Sequence, residues 1–411
     1  MQNKTVERAE KWFAVIGLTF FTRAFDLGTG IIDTPLLPGF FTTALRYVVW
    51  LGSLFLIFAH RKDAMRTASR EKLLWVLTLI ILLSFIWSDF PLDVFKNNRE
   101  VWQMTSFSLY FATRFSLKEQ IKLIVWTFVI GAFASIFLAL TVPVIAIHQE
   151  DHPGAWRGVY DYKNTFGSMM IIGSLALFLL PVKTERQKLY RWAGIILLLI
   201  MMLLSTSKTS LVIYFLLVFI LGFYRNFRWQ GRVTVVILDL AILILACVAT
   251  LVVGNWVALL TGLGKDPTLT GRTILWATVL MRLGQRPLLG YGRGAFWSPQ
   301  APYGQEAGRA VSPGFVAPHS HNGFFDIALD VGYIGLILFL IIYFRAFFLA
   351  LKRAYATRNS ENLWPLAFLM FLAMNNVTES YLLRISNIYW VLFLTVVLSV
   401  NPKPPVTKQI G

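Results

Sequence analysis

The sequence predicts an all-α polytopic membrane protein of about 12 transmembrane helices, with a large extracytoplasmic loop between helices 9 and 10. Three observations predict it. Hydrophobic residues are 56% of the 411 and charged residues only 14%, against about 25% charged in an average soluble domain. Apolar runs long enough for a crossing recur along the chain, without the alternation of a transmembrane barrel. The gaps between these runs alternate in charge, as topology signals do. Abundant Phe, Trp and Leu and a mean hydropathy of +0.63 exclude disordered and fibrous classes.

A bilayer core needs about 20 apolar residues per helix. The candidate runs, in order, are 12–25, 40–59, 73–88, 101–114, 121–147, 164–181, 191–206, 208–224, 233–259, 322–350, 363–378 and 385–400. The first is short and ends at Arg23; the fourth is diluted by Gln103, Thr105 and Ser106. Residues 1–411 read as a single integral membrane domain. No cleavable signal peptide is expected, because Met1–Lys11 mixes acids with bases and no small-residue cleavage site follows the first run. The single cysteine, Cys247, excludes an intramolecular disulfide.

Lys4, Arg8 and Lys11 precede the first run, and bases recur after each even-numbered one. They are Arg61, Lys62, Arg66, Arg70 and Lys72, then Arg114, Lys118 and Lys122, then Lys183, Arg186, Lys188 and Arg191. Arg225, Arg228 and Arg232 follow the eighth run, Lys352, Arg353 and Arg358 the tenth, and Lys403 and Lys408 the twelfth. The positive-inside rule then puts both termini in the cytoplasm. Most of the +17 net charge is therefore topology, and no nucleic-acid partner is expected.

The outer loop 262–321 breaks that pattern. It holds Lys265, Arg272, Arg282, Arg286, Arg293 and Arg309 against Asp266 and Glu306. Positive charge on the outer side has no topological use. Leu275, Trp276, Val279, Leu280 and Leu283 are spaced for a short amphipathic helix. Arg282 and Arg286 lie one turn apart on it. Pro287 ends it, and Gly290, Gly292 and Gly294 read as a flexible stretch around Arg293.

The most distinctive local feature is His319-Ser-His321-Asn322 with Asp326 behind it, where the loop enters the tenth run. A histidine with pKa near 6.5 is suited to general-base work. The competing reading is a helix cap made by Ser320 or Asn322, with Asp326 in the first turn. Arg272 offers a planar fork for phosphate oxygens or snorkels to headgroups. Lys208, in a hairpin of Ser and Thr between two runs, suits an anion site or a plain turn. Arg46 sits inside the second run near its outer end, where it is either functional or snorkelling. Arg157 and Lys163, among aromatics between runs five and six, suit sugar or phosphate contact, or an interfacial belt. His148 and His152 are four apart, but Pro153 and Gly154 spoil helical spacing for a metal pair. No metal site and no cofactor is expected.

His321-Asn322, then nine residues, then Gly332-x-x-Gly335 resembles the signature of the O-antigen ligase and polymerase family of bacterial membrane enzymes. Gly271-Arg272 with Trp276, Pro287-x-x-Gly290-x-Gly292, the Ser207-Lys208 hairpin and the large outer loop add to that resemblance. The segment from Arg157 through Lys163-Asn164 to Gly167 is similar to the exopolysaccharide-polymerase branch. The resemblance implies transfer of a glycan from an undecaprenyl-diphosphate carrier to an acceptor hydroxyl, on the periplasmic side of the inner membrane. The acceptor is lipid A–core in ligases and a lipid-linked glycan in polymerases. The resemblance further implies inversion and a metal-free reaction, with His321 and Arg272 as catalytic residues. Lys208 stands where many ligases carry arginine, which keeps charge but loses the fork. On this reading Arg272 and Lys208 meet the diphosphate, with Arg286, Arg293 and Arg46 as helpers. His319, Asn322, Arg157 and Lys163 support. The rival classes are a twelve-helix secondary transporter and a lipid-linked-glycan flippase.

Overall fold

A computed structural model describes residues 4–28, 36–150, 152–226, 233–254, 271–356, 359–384 and 387–401. The expectations for Arg228, Arg232, Lys265, Asp266, Arg358, Lys403 and Lys408 lie outside the described residues. Each of the twelve apolar runs contains a helix, though several runs extend past their helix ends and the fifth is broken at Val142. The first half of the chain contains α1 (Lys4–Phe21), α2 (Gly39–Ala59), α3 (Arg61–Ala68), α4 (Lys72–Leu83), α5 (Pro91–Arg114), α6 (Leu117–Thr141) and α7 (Pro143–Ala146). It is followed by α8 (Lys163–Leu179), α9 (Glu185–Leu204), α10 (Lys208–Asn226) and α11 (Val233–Gly254). The segment 271–321 holds α12 (Arg272–Gln285) and α13 (Pro302–Val311), and α14 (Gly323–Ala356), α15 (Trp364–Asn376) and α16 (Ile388–Val400) follow it.

Among the described residues, four helices are long and apolar enough to cross a membrane: Gly39–Ala59, Leu117–Thr141, Glu185–Leu204 and Gly323–Ala356. In α2 only Val49 and Ser53 are buried, while Phe40, Val48, Leu51, Phe55 and Phe58 are exposed. A helix apolar all round, without protein on most sides, is stable in lipid and not in water. By contrast, every residue of α15 is buried, and Trp364, Trp390, Phe339 and Tyr389 fill the centre.

Two of the differences from the expected bounds bear on charged residues. The first helix stops at Phe21, and Arg23 beyond it takes a left-handed backbone (φ 64°). The fourth starts ten residues early because Pro91 occupies its first turn, where a missing N–H costs nothing. It therefore carries Glu100, whose carboxylate is compensated by Arg293 at 3.4 Å.

Polar pairings fall into two sets. Residues in the basic gaps or at the run ends nearest them meet one another: Arg114 with Glu10 (2.7 Å), Arg345 with Glu71 (3.5 Å) and Tyr355 with Asp239 (3.1 Å). Residues in the other gaps or at the run ends nearest them likewise meet among themselves: Arg23 with Asp161 (3.5 Å), Arg286 with Asp89 (2.8 Å) and Asn164 with Glu379 (2.8 Å).

The long helix α14 is kinked at Val331–Gly332, and Gly332 has φ 68° and ψ −174°. The kink frees backbone groups, and residues 287–292 take them up. Tyr291 N–H donates to Leu329 O (2.7 Å), Gly292 N–H to Asp330 O (3.0 Å) and Tyr333 N–H to Pro287 O (2.7 Å). The expected flexible stretch is thus a pinned strap, because an unwound helix must satisfy its backbone elsewhere. A Cβ on Gly332 would lie 2.0 Å from Leu288 O, and one on Gly290 2.4 Å from Leu329 O. Gly332→Val is expected to lose at least about 1–3 kcal/mol from the backbone conformation alone. A lowered thermal midpoint in detergent checks this; an unchanged midpoint refutes the strap.

Candidate active site

The segment before α14 is held by side chains on both flanks. Asn322 Oδ1 accepts the N–H groups of Phe324 (3.0 Å) and Phe325 (3.2 Å), which makes Asn322 the cap of α14. Ser320 Oγ accepts the Asn322 N–H at 3.1 Å. Trp276 Nε1, on α12, donates to Ser320 O at 2.8 Å. Asp326 Oδ1 accepts from Ser320 N–H (3.2 Å) and Trp297 Nε1 (3.0 Å). Capping is therefore done by Asn322, and His321 takes no part in it. His321 instead adopts φ 56°, a left-handed backbone uncommon outside glycine that concentrates at functional sites.

The ring of His321 lies beside Glu379, in the link between α15 and α16. Glu379 is buried, and its Oε2 is 3.8 Å from His321 Nδ1. Its Oε1 accepts from Asn164 Nδ2 at 2.8 Å and is 3.7 Å from the Arg272 guanidinium. Its backbone oxygen accepts the Gly323 N–H at 3.0 Å, tying the link to the start of α14. At 3.8 Å the imidazole and carboxylate are close neighbours but not hydrogen-bonded, and His321 Nδ1 is buried without a hydrogen-bond partner. Burial pushes the Glu379 carboxyl up, but His321, Arg272 and Asn164 outweigh it and hold the group below its ordinary value. Glu379 is thus an ionised carboxylate beside the Nδ1 edge of the imidazole.

His319 is a different kind of histidine. Burial, with Arg384, His321 and Arg272 nearby, holds it well below the usual imidazole range. Its Nδ1 accepts the His321 N–H at 3.1 Å, and the two rings are 4.2 Å apart. A neutral His319 therefore supports the His321 backbone.

Lys208 is exposed at the start of α10, where Ser207 Oγ accepts the Ser210 N–H at 3.4 Å. Lys163 opens α8 and is half-buried. Burial and the neighbouring Lys208 lower its ammonium pKa, against the pull of Glu379. Two lysines that repel one another, with Lys163 near the Glu379 that Arg272 also meets, make an arrangement an anion would relieve.

The remaining predicted residues lie elsewhere in the contact pattern. Arg293 is buried, donating to Leu383 O (3.1 Å) and Asn97 O (2.6 Å) beside Glu100. Arg286 pairs with Asp89 and covers the Tyr291 ring at 4.9 Å. Arg157 donates to Ile145 O (2.7 Å) and Val144 O (2.9 Å). Arg46 lies in α2 with a buried Nε that has no hydrogen-bond partner. His148 Nε2 accepts the Lys163 N–H at 3.3 Å, and His152 Nε2 meets the Tyr162 hydroxyl at 2.8 Å. These two histidines shape the start of α8.

Sequence reasoning missed Glu379, Asn164 and Arg384 as site residues. A signal for Glu379 was present. Asn375-Asn-Val-Thr-Glu379-Ser puts polar residues between the last two apolar runs.

Residues 193–340 match the family model described as O-antigen ligase. The chain is also 37% identical over 112 residues to the exopolysaccharide production protein ExoQ of Rhizobium meliloti (strain 1021). That match covers 26% of this chain and 25% of the relative, so it spans about a quarter of the curated protein's length.

Proposed function

We propose, from the O-antigen ligase match over residues 193–340, that the chain transfers a glycan from an undecaprenyl-diphosphate carrier to an acceptor hydroxyl. On this reading the site faces the periplasm across a bacterial inner membrane spanned by 12 helices, with both termini cytoplasmic. The sorting of polar pairs into two sets supports this two-sided arrangement.

The carrying observation is the grouping of Arg272, Glu379 and His321 within 3.8 Å contacts. His321 accepts the acceptor hydroxyl's proton through Nε2 while the acceptor oxygen attacks the anomeric carbon from the face opposite the carrier. The bond to the diphosphate breaks, and the diphosphate leaves with the electron pair. Arg272, with Lys208 and Lys163, stabilises that charge. Glu379 is a positioning residue: it orients His321 and stabilises the imidazolium that forms, as a carboxylate behind a catalytic histidine does elsewhere. These protein cations supply the neutralisation, so activity is expected to survive EDTA; inhibition reversed by a divalent ion would overturn the metal-free reading.

The test supplies one lipid-linked repeat to purified protein, with and without lipid A–core. A ladder of lipid-linked oligomers identifies a polymerase, and capped lipid A a ligase. Carrier flux across a vesicle wall without any new glycosidic bond would favour the transporter or flippase class and sink the transferase reading.

A further inference from the structure

Two small cavities of about 90 Å³ and 220 Å³ share Arg23 and Asp161 in their walls. Together they come close to the ~300 Å³ lower end of ligand pockets. The first continues to Thr165, Tyr381 and Arg384, the second to Asp26, Gly158 and Tyr160. The trough reaches the catalytic grouping through adjacent residues. Thr165 Oγ1 is 3.3 Å from the Tyr381 hydroxyl, Thr165 follows Asn164, and Tyr381 lies two residues past Glu379.

The chemistry of its walls is specific. Arg23 donates to Asp26 at 3.0 Å and reaches Asp161 at 3.5 Å. The Arg23 and Asp161 side chains remain 39% and 51% exposed, so their pairing contributes little to stability. Yet Arg23 holds a left-handed backbone of φ 64°, a conformation that persists only where surroundings enforce it. Arg157 also lines the second cavity but donates to Ile145 O and Val144 O, so the two carboxylates beside Arg23 make a mixed lining less suited to a diphosphate than an all-cationic one. They suit a neutral ligand rich in hydroxyls, which donates to Asp26 and Asp161 and accepts from Arg23. Tyr381, stacked on Tyr389 at 4.4 Å, adds an aromatic wall. Arg384 is exposed and has no hydrogen-bond or ion-pair partner among the described residues.

We propose that this Arg23–Asp161 trough seats the terminal saccharide of the acceptor and presents its hydroxyl to His321. The assignment rests on the transferase reading and adds to it a binding site for a neutral sugar, separate from the cations that meet the diphosphate. Arg384 contacts the saccharide at the rim.

The test uses the full chain in nanodiscs and a carrier-free repeat oligosaccharide as probe. Arg23→Gly removes the guanidinium while keeping the left-handed backbone, which glycine adopts freely. Asp161→Asn removes one acceptor charge. Calorimetric Kd measured on His321→Ala protein reports binding without turnover. Saturable binding, weakened roughly tenfold or more by Arg23→Gly and by Asp161→Asn, is expected. In otherwise wild-type protein the same changes raise the oligosaccharide KM and leave kcat nearly unchanged, as loss of uniform binding does. Absence of saturable binding, or variants binding within twofold of their parent, overturns the trough. Saturable binding in protein that never transfers glycan overturns the transferase reading and keeps the saccharide site.

Discussion

His321→Ala is expected to lower transfer by roughly 10²–10⁴-fold, the usual contribution of a positioned general base, while the protein stays folded in the membrane. The structural reason is that His321 makes no capping bond; Asn322, Ser320 and Trp276 hold the segment without its ring. Loss of the imidazole should therefore leave the thermal midpoint nearly unchanged. Glu379→Gln is expected to lose rate as well, through His321. Combining the two changes should cost little more than His321→Ala alone, because residues that act as a unit are not additive. Rescue separates positioning from packing: Glu379→Asp keeps the carboxylate and should recover part of the rate that Glu379→Gln loses. Independent, additive losses or no such recovery would count against the pair, and normal product from His321→Ala would remove the general base altogether.

Arg272→Ala is expected to cost about 100–1,000-fold in kcat, the usual effect of deleting one charge-stabilising donor. Arg272 lies at the start of α12, with its guanidinium 3.7 Å from Glu379. In the free protein it is already compensated, so it needs no ligand to be stable there. A diphosphate would then share the fork between two anionic partners. Arg272→Lys should recover only part of the rate, since lysine keeps the charge and loses the fork. Added guanidinium should restore some activity to Arg272→Ala and none to His321→Ala. Turnover by Arg272→Ala within tenfold of wild type would assign the diphosphate to Lys208 and Lys163.

The local reading of the candidate site was partly legible. The His319–Asp326 segment was recognisable, and its capping reading holds for Asn322. Asn322 caps the helix, and His321 is left for other work. The cations could not be ranked in the same way. Arg272, Arg286 and Arg293 share one loop and one charge, but Asp89 lies against Arg286, Glu100 against Arg293, and Glu379 against Arg272. Those acids come from positions up to 197 residues away for Arg286, so no local pattern announces them. The glycines of the loop read as flexibility and act as close approach, because the kink at Gly332 has no local signature.

The chain by itself determined its class: a basic, apolar polypeptide whose runs must be helical, because helices satisfy their own backbone bonds in lipid. It also determined which gaps carry the cations. Tertiary structure alone decided which cation stands beside His321, that Glu379 and Asn164 join it, and that the loop straps a kinked helix. Helix formation depends on neighbours three or four residues apart. Charge compensation depends on distance in space, and that is set only when the helices pack.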